Sequence, residues 1–203
     1  MTGDVLDALP ARRGHFLLES GYHTDLWLTL DELFVDTRAL APLVSALADR
    51  LRPHGPTAVC GPLLGGAFLA QAVAGALDVA FYFTEPVAAS PDSADGGLFR
   101  AKYRLPAELR RRVAGERVAV VDDVISAGSS VRATVEALAS AGASTVAVGA
   151  LLVLGDAAVA HFAGQSVPME AVARSDFSLW KPDECPLCRA GVPLEDPGIA
   201  DAA

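Results

Sequence analysis

The sequence predicts an α/β fold, a parallel sheet flanked by helices with a small N-terminal hood. Three observations carry that reading. Short apolar runs alternate with segments of helical period through residues 57–173, the pattern of repeated strand-helix units. Two of the strand-to-helix turns are built from glycine and other small residues, which sets two backbone-lined concavities at one sheet edge. The chain has 203 residues, 52% hydrophobic and 20% charged, enough to bury one real core.

The elements follow in order. Residues 4–13 are expected to form a short helix. Residues 14–36 read as a hood of short strands, Gly14-His15-Phe16-Leu17-Leu18 and Thr24-Asp25-Leu26-Trp27-Leu28. A helix over 37–51 is stopped by Pro53-His54-Gly55-Pro56. A buried strand at 57–61, a helix at 65–77 and a strand at 79–84 come next. A loop rich in Pro, Ser, Asp and Gly spans 86–101, and 109–114 is a turn or short helix. Val118 to Val121 form a short buried strand. A helix over 128–141 ends at Gly142, a natural cap. Strands at 145–154 and 169–173 flank a short helix at 156–163. Residues 1–203 read as a single domain, with 1–36 as hood and 176–203 as a C-terminal tail that frays from Glu195.

Composition narrows the function classes. A formal net charge of −9 disfavours a nucleic-acid surface. No uninterrupted apolar run is long enough to span a membrane, and the first residues carry no basic signal-type segment, so the expected location is cytoplasmic. Three cysteines do not suggest a disulfide framework.

The most informative stretch is Val118-Ala-Val-Val-Asp122-Asp123-Val-Ile-Ser126-Ala127-Gly128-Ser129-Ser130. A strand feeding a tight small-residue loop that opens a helix is a phosphate site, because loop amides and the helix N-terminus point donors at an anion. Serine hydroxyls add donors, and Gly128 admits close backbone approach. Neither a Gly-x-x-x-x-Gly-Lys-Ser/Thr nor a Gly-x-Gly-x-x-Gly pattern is present, so a nucleoside-triphosphatase loop and a dinucleotide loop are not indicated. Two carboxylates beside a phosphate cradle suit vicinal ribose hydroxyls or a bound cation. A sugar diol carrying a 5-phosphate satisfies both halves.

Val118 to Ser130 resembles the signature of the type I phosphoribosyltransferases, which use 5-phosphoribosyl-1-diphosphate (PRPP). The resemblance implies that Asp122 and Asp123 hold the ribose hydroxyls and that Ser126, Ala127, Gly128, Ser129 and Ser130 cradle the 5-phosphate. It also implies that Pro62, Leu63, Leu64, Gly65 and Gly66 form the pyrophosphate loop, that Mg²⁺ rides on the diphosphate with Asp122 and Asp123 as possible ligands, and that the enzyme is a homodimer. Gly14-His15-Phe16-Leu17-Leu18-Glu19-Ser20-Gly21 is similar to the N-terminal segment of the orotate branch. That branch makes orotate the expected nitrogenous base; another base, or a non-catalytic PRPP or nucleotide sensor, is the alternative.

The chain departs from that branch in three places. Tyr22 stands where a lysine follows Ser-Gly. Thr84-Glu85-Pro86 stands where a basic cluster is usual. Val153-Leu154-Gly155-Asp156 lacks the arginine that pairs with the substrate carboxylate. The candidate cations for the leaving group are Arg100, Lys102 and Arg104, with Lys102 the catalytic lysine of a closing lid by position. Their alternation with Ala101 and Tyr103 equally suits a solvated strand face.

Cys185-Pro186-Leu187-Cys188 has the spacing of half a tetrahedral zinc site. No second cysteine pair follows, and Cys60 lies in a core strand. A reduced pair in a turn is the other reading. His15, His23 and His54 read as structural or exposed. His23 lies where the orotate branch places contacts to base or diphosphate.

Overall fold

A computed structural model describes residues 11–18, 20–28, 31–87, 101–175 and 178–197. The main sheet has six strands in the order β5-β4-β3-β6-β7-β8. They are β3 (Ala58–Pro62), β4 (Ala80–Pro86), β5 (Tyr103–Arg104), β6 (Arg117–Ile125), β7 (Ser144–Leu154) and β8 (Met169–Ser175). Neighbours run parallel except β5, which pairs antiparallel with β4. The helices are α1 (Thr37–Leu51), α2 (Gly65–Leu77), α3 (Ala107–Arg112), α4 (Ser129–Ser140), α5 (Ala157–Gly164) and α6 (Pro186–Arg189). A second sheet, in the order β1-β2-β9, joins the hood strands β1 (Ala11–Leu17) and β2 (His23–Leu28) to β9 (Leu179–Trp180) of the tail.

The central strands are buried on both faces, which is why they read as continuous apolar runs. Val118 and Val120 of β6 pack with Val131 and Leu138 of α4 and Phe162 of α5. Ala119 and Val121 point the other way, onto Val44, Leu47 and Leu51 of α1 and Leu69 and Val73 of α2. Helix α1 buries Leu40, Val44, Leu47, Ala48 and Leu51, a single stripe at helical spacing. Asp36 caps it, its carboxylate accepting from Arg38 N at 2.9 Å and Ala39 N at 3.3 Å.

Several boundaries differ from the sequence reading. Residues 11–13 are strand rather than helix, because Ala11, Arg12 and Arg13 pair with Leu28, Trp27 and Leu26 of β2. The remainder of the expected 4–13 helix lies outside the described residues. Strand β6 continues through the acid pair to Ile125, held by β7, so the carboxylates sit on the strand and not beyond its end. Glu195 is anchored rather than frayed: its N–H donates to His15 O and its carbonyl accepts from Leu17 N, both at 2.8 Å. Its carboxylate also pairs with Arg12 at 2.8 Å. Among the described residues, no helix is long and apolar enough to cross a membrane.

Candidate active site

The C-terminal ends of β3 and β6 bring two loops together. The loop after β3 holds the cis Leu63–Leu64 peptide and leads into α2. Leu63 N donates to Thr84 O of β4 at 2.9 Å, and Leu64 is largely exposed. Gly65 and Gly66 open α2 against the acid pair. A Cβ built on Gly65 collides with the Asp123 carboxylate, and one on Gly66 falls 2.5 Å from Asp122 Oδ1 and 2.7 Å from Pro62 Cδ. The glycines are therefore required by contact between the loop and the carboxylates.

Asp122 is buried. Its Oδ2 accepts from Ser130 Oγ at 2.7 Å, and its Oδ1 accepts from Asp123 N at 3.2 Å. Asp123 Oδ1 accepts from Val124 N at 2.8 Å. Burial first, and then the neighbouring Asp123 charge, hold Asp122 well above the usual carboxylate range, against the Ser130 hydrogen bond that favours its anion. Such a pair can meet a diol or a cation that takes up its charge.

The second loop runs from Ser126 to Gly128, and α4 begins at Ser129. Gly128 has φ +79, and a Cβ there would also press on Ala158 Cβ at 3.1 Å. Ser129 Oγ is buried and has no hydrogen-bond partner among the described residues. A hydroxyl left unpaired at a helix start costs free energy unless an anion occupies the loop.

Of the residues singled out from the sequence, the structure thus brings together Asp122, Asp123, Gly65, Gly66 and Ser130, with Ser129 at the start of the same helix. Lys102 is placed elsewhere. It is exposed at the foot of β5, and its carbonyl accepts from Val87 N at 2.8 Å. It lies three strand spacings, about 14 Å, from β6. Arg104 pairs with Glu85 at 3.4 Å on the exposed edge, the solvated-face reading for that residue. Arg100 lies outside the described residues. The two feet of the 88–100 segment are closed by antiparallel pairing of Glu85 with Arg104 and Pro86 with Tyr103.

Sequence reading missed Arg132. Its Nη2 donates to Ala157 O at 3.3 Å, and a Cβ on Gly128 would lie 3.7 Å from its Nε. Burial lowers its pKa, and Tyr22 of the hood opposes that shift only when its phenol is ionised. Arg132 therefore stands between the Ser126–Gly128 loop and the segment just after β7, where the expected arginine is missing. The only sequence signal was a charged residue in the first turn of the helix that follows the small-residue loop.

His23 is buried where hood and tail meet, which fits the structural reading. Its Nδ1 faces His15 Nε2 at 3.1 Å and Cys188 Sγ at 3.3 Å.

The phosphoribosyl transferase domain family matches residues 34–164, which include both loops and the acid pair. The chain belongs to this family. It is 32% identical over 186 residues to an orotate phosphoribosyltransferase of Caldanaerobacter subterraneus subsp. tengcongensis, covering 92% of this chain and 89% of that one. The orotate phosphoribosyltransferase structure from Aeropyrum pernix superposes with TM-score 0.64 at 24% identity, over 86% of this chain and 93% of that one. The adenine phosphoribosyltransferase from Thermoanaerobacter pseudethanolicus gives 0.63 at 14% identity, over 86% of this chain and all (100%) of that one. The fold is thus that of phosphoribosyltransferases, and it does not by itself choose the base.

Proposed function

We propose that this chain transfers the 5-phosphoribosyl group of PRPP to orotate. In this reaction the C1′–O bond to diphosphate breaks, a C1′–N bond to the base forms, and pyrophosphate leaves. The observation that carries the reading is the convergence of the Pro62–Gly66 and Ser126–Ser130 loops on Asp122 and Asp123. The relative at 32% identity supports orotate as the base.

Each part of the substrate has a matching group. Loop amides and Ser129 Oγ take the 5-phosphate, the acid pair takes the ribose hydroxyls, and the glycine loop takes the diphosphate. Catalysis is then mostly positioning and electrostatic stabilisation of an oxocarbenium-like transition state. The acid pair at the meeting of the loops also fits a hard divalent ion, and bound Mg²⁺ supplies charge neutralisation on the diphosphate. Arg132 is the cation we assign to the orotate carboxylate. Lys102, just before β5, acts across a homodimer. The exposed Val35, Leu64 and Phe68 offer apolar area for that contact.

The test is PRPP- and Mg²⁺-dependent loss of orotate absorbance with stoichiometric pyrophosphate. Turnover with another base instead would reassign the acceptor. PRPP binding without pyrophosphate release would make the chain a sensor. Light scattering at working concentration checks the dimer.

A further inference from the structure

We propose that His15, His23, Cys185 and Cys188 form a closed, structural zinc site that clips the C-terminal tail to the hood. One ligand atom from each residue lies within 4.8 Å of every other. His15 Nε2 is 3.1 Å from His23 Nδ1, 3.4 Å from Cys185 Sγ and 3.7 Å from Cys188 Sγ. Cys188 Sγ is 3.3 Å from His23 Nδ1. A tetrahedral zinc with its usual bond lengths has edges of about 3.3 Å between two nitrogens and about 3.6 Å between nitrogen and sulfur. These four of the six edges lie within about 0.3 Å of those values.

The donor chemistry points the same way. Two imidazoles and two thiols are a borderline-soft set that suits zinc. His15, His23 and Cys185 are buried, and Cys188 lies at the exposed rim. Three buried polar groups converging with a fourth on one point serve no hydrophobic packing. His15 Nδ1 lies 2.9 Å from Val192 O, so it donates its proton there and leaves the Nε2 lone pair facing the cluster. That carbonyl contact is the outer support a ligating histidine ordinarily has. Four protein ligands fill the tetrahedron, which leaves no open position for substrate and makes the site structural.

The fold explains why these four meet. The hairpin β1-β2 carries both histidines, and α6 begins directly after Cys185. Trp180 of β9 pairs with His23, and Phe16 bridges to Glu195, so hood and tail are already side by side. His15 and Cys185 are 170 residues apart in sequence, and a metal bond that closes so long a loop stabilises the folded chain.

The test uses the full chain, purified reduced and equilibrated with zinc. Elemental analysis should find one zinc per chain, and cobalt substitution should give the intense visible bands of a tetrahedral site with thiolate charge transfer. Cys188→Ser, at the exposed rim where folding is least burdened, should lose stoichiometric zinc and weaken the charge-transfer band. A zinc chelator should lower the wild-type Tm and leave that of Cys188→Ser unchanged. A folded wild-type chain that holds no stoichiometric zinc would overturn the proposal. So would a cobalt spectrum without thiolate bands, or retention of zinc by both Cys185→Ser and Cys188→Ser.

Discussion

Gly66→Ala tests whether the glycine loop and the acid pair are in contact as one site. The new Cβ would stand 2.5 Å from Asp122 Oδ1, 2.7 Å from Pro62 Cδ and 3.0 Å from Pro62 Cγ. Non-bonded heavy atoms prefer roughly 3.5 Å, so the start of α2 must withdraw by about 1 Å. Neither neighbour can yield easily. Asp122 is tied to Ser130 Oγ and Asp123 N, and Pro62 is fixed in β3 opposite Thr84. Overpacking of this kind costs about 1–3 kcal/mol. For a chain of this size that is a Tm lower by roughly 2–12 °C. A ~1 Å displacement of groups that position the diphosphate costs about 100-fold in rate. Gly75→Ala is the control, because it lies in the same helix with nothing within 4 Å of its Cβ. That change should stabilise the protein by about 0.5–1 kcal/mol and leave turnover intact. Thermal unfolding and kcat/KM for PRPP read both variants. Gly66→Ala with wild-type Tm and kcat/KM would refute the contact argument.

Further outcomes follow from other parts of the site. Ser129→Ala removes a hydroxyl that has no partner among the described residues, so Tm should hold while PRPP binding weakens by roughly 10- to 100-fold, the worth of a hydrogen bond to a charged group; calorimetry checks it. Arg132→Ala should raise KM for orotate more than KM for PRPP in steady-state kinetics; equal rises would remove Arg132 from the base pocket. Asp122, with its folded pKa raised, keeps a proton that the unfolded chain has already released. Its contribution to stability is complete below the unfolded value, about 3.9, and is lost as pH rises through the folded value. Asp122→Asn should therefore raise the Tm of the ligand-free protein at neutral pH, flatten this part of its pH dependence and abolish PRPP binding. Thr84→Val breaks the buried 2.7 Å hydrogen bond to Thr134 and should cost about 1–3 kcal/mol in denaturant unfolding, with Thr134→Val added on top recovering part of it.

What the sequence made legible was whatever depends on local pattern. Helices at 37–51 and 65–77 are read to the residue, because a single apolar stripe and flanking breakers define them. The acid pair and the small-residue loop stand out because that chemistry is contiguous. Strand β6 is misjudged at its end, since charge normally marks a strand's limit and only pairing with the eleven-residue β7 carries it through Asp122 and Asp123. Ala11 to Arg13 is misjudged for the same reason: pairing with β2 overrides local preference. Arg132 has only a weak local signature, a charge in the first helical turn, since its partner Ala157 is brought to it by the fold. The histidine-cysteine cluster is the extreme case, because no spacing rule reaches from residue 15 to residue 185.

Two of these nonlocal features bear on each other. Tyr22 replaces the lysine expected after Ser-Gly, and it is the residue immediately before His23. A lysine reaches its partner on a flexible stem and tolerates a loosely held strand. A tyrosine carries a rigid ring with two side-chain torsions, so where its phenol sits near Arg132 depends on where the backbone of β2 is held. The proposed zinc clip fixes that backbone one residue away, through His23, and fixes β1 through His15. The tail that supplies Cys185 and Cys188 also supplies Glu195 and β9, which seal the two outer sides of the same hairpin. The hood thus gains rigidity from the tail at the place where it gives up the reach of a lysine. Loosening the clip should disturb Tyr22 and Arg132 before it disturbs the acid pair, which is anchored in the parallel sheet. In steady-state kinetics, Cys188→Ser should raise KM for orotate while KM for PRPP stays near the wild-type value. The reverse pattern would separate the tail from the base pocket.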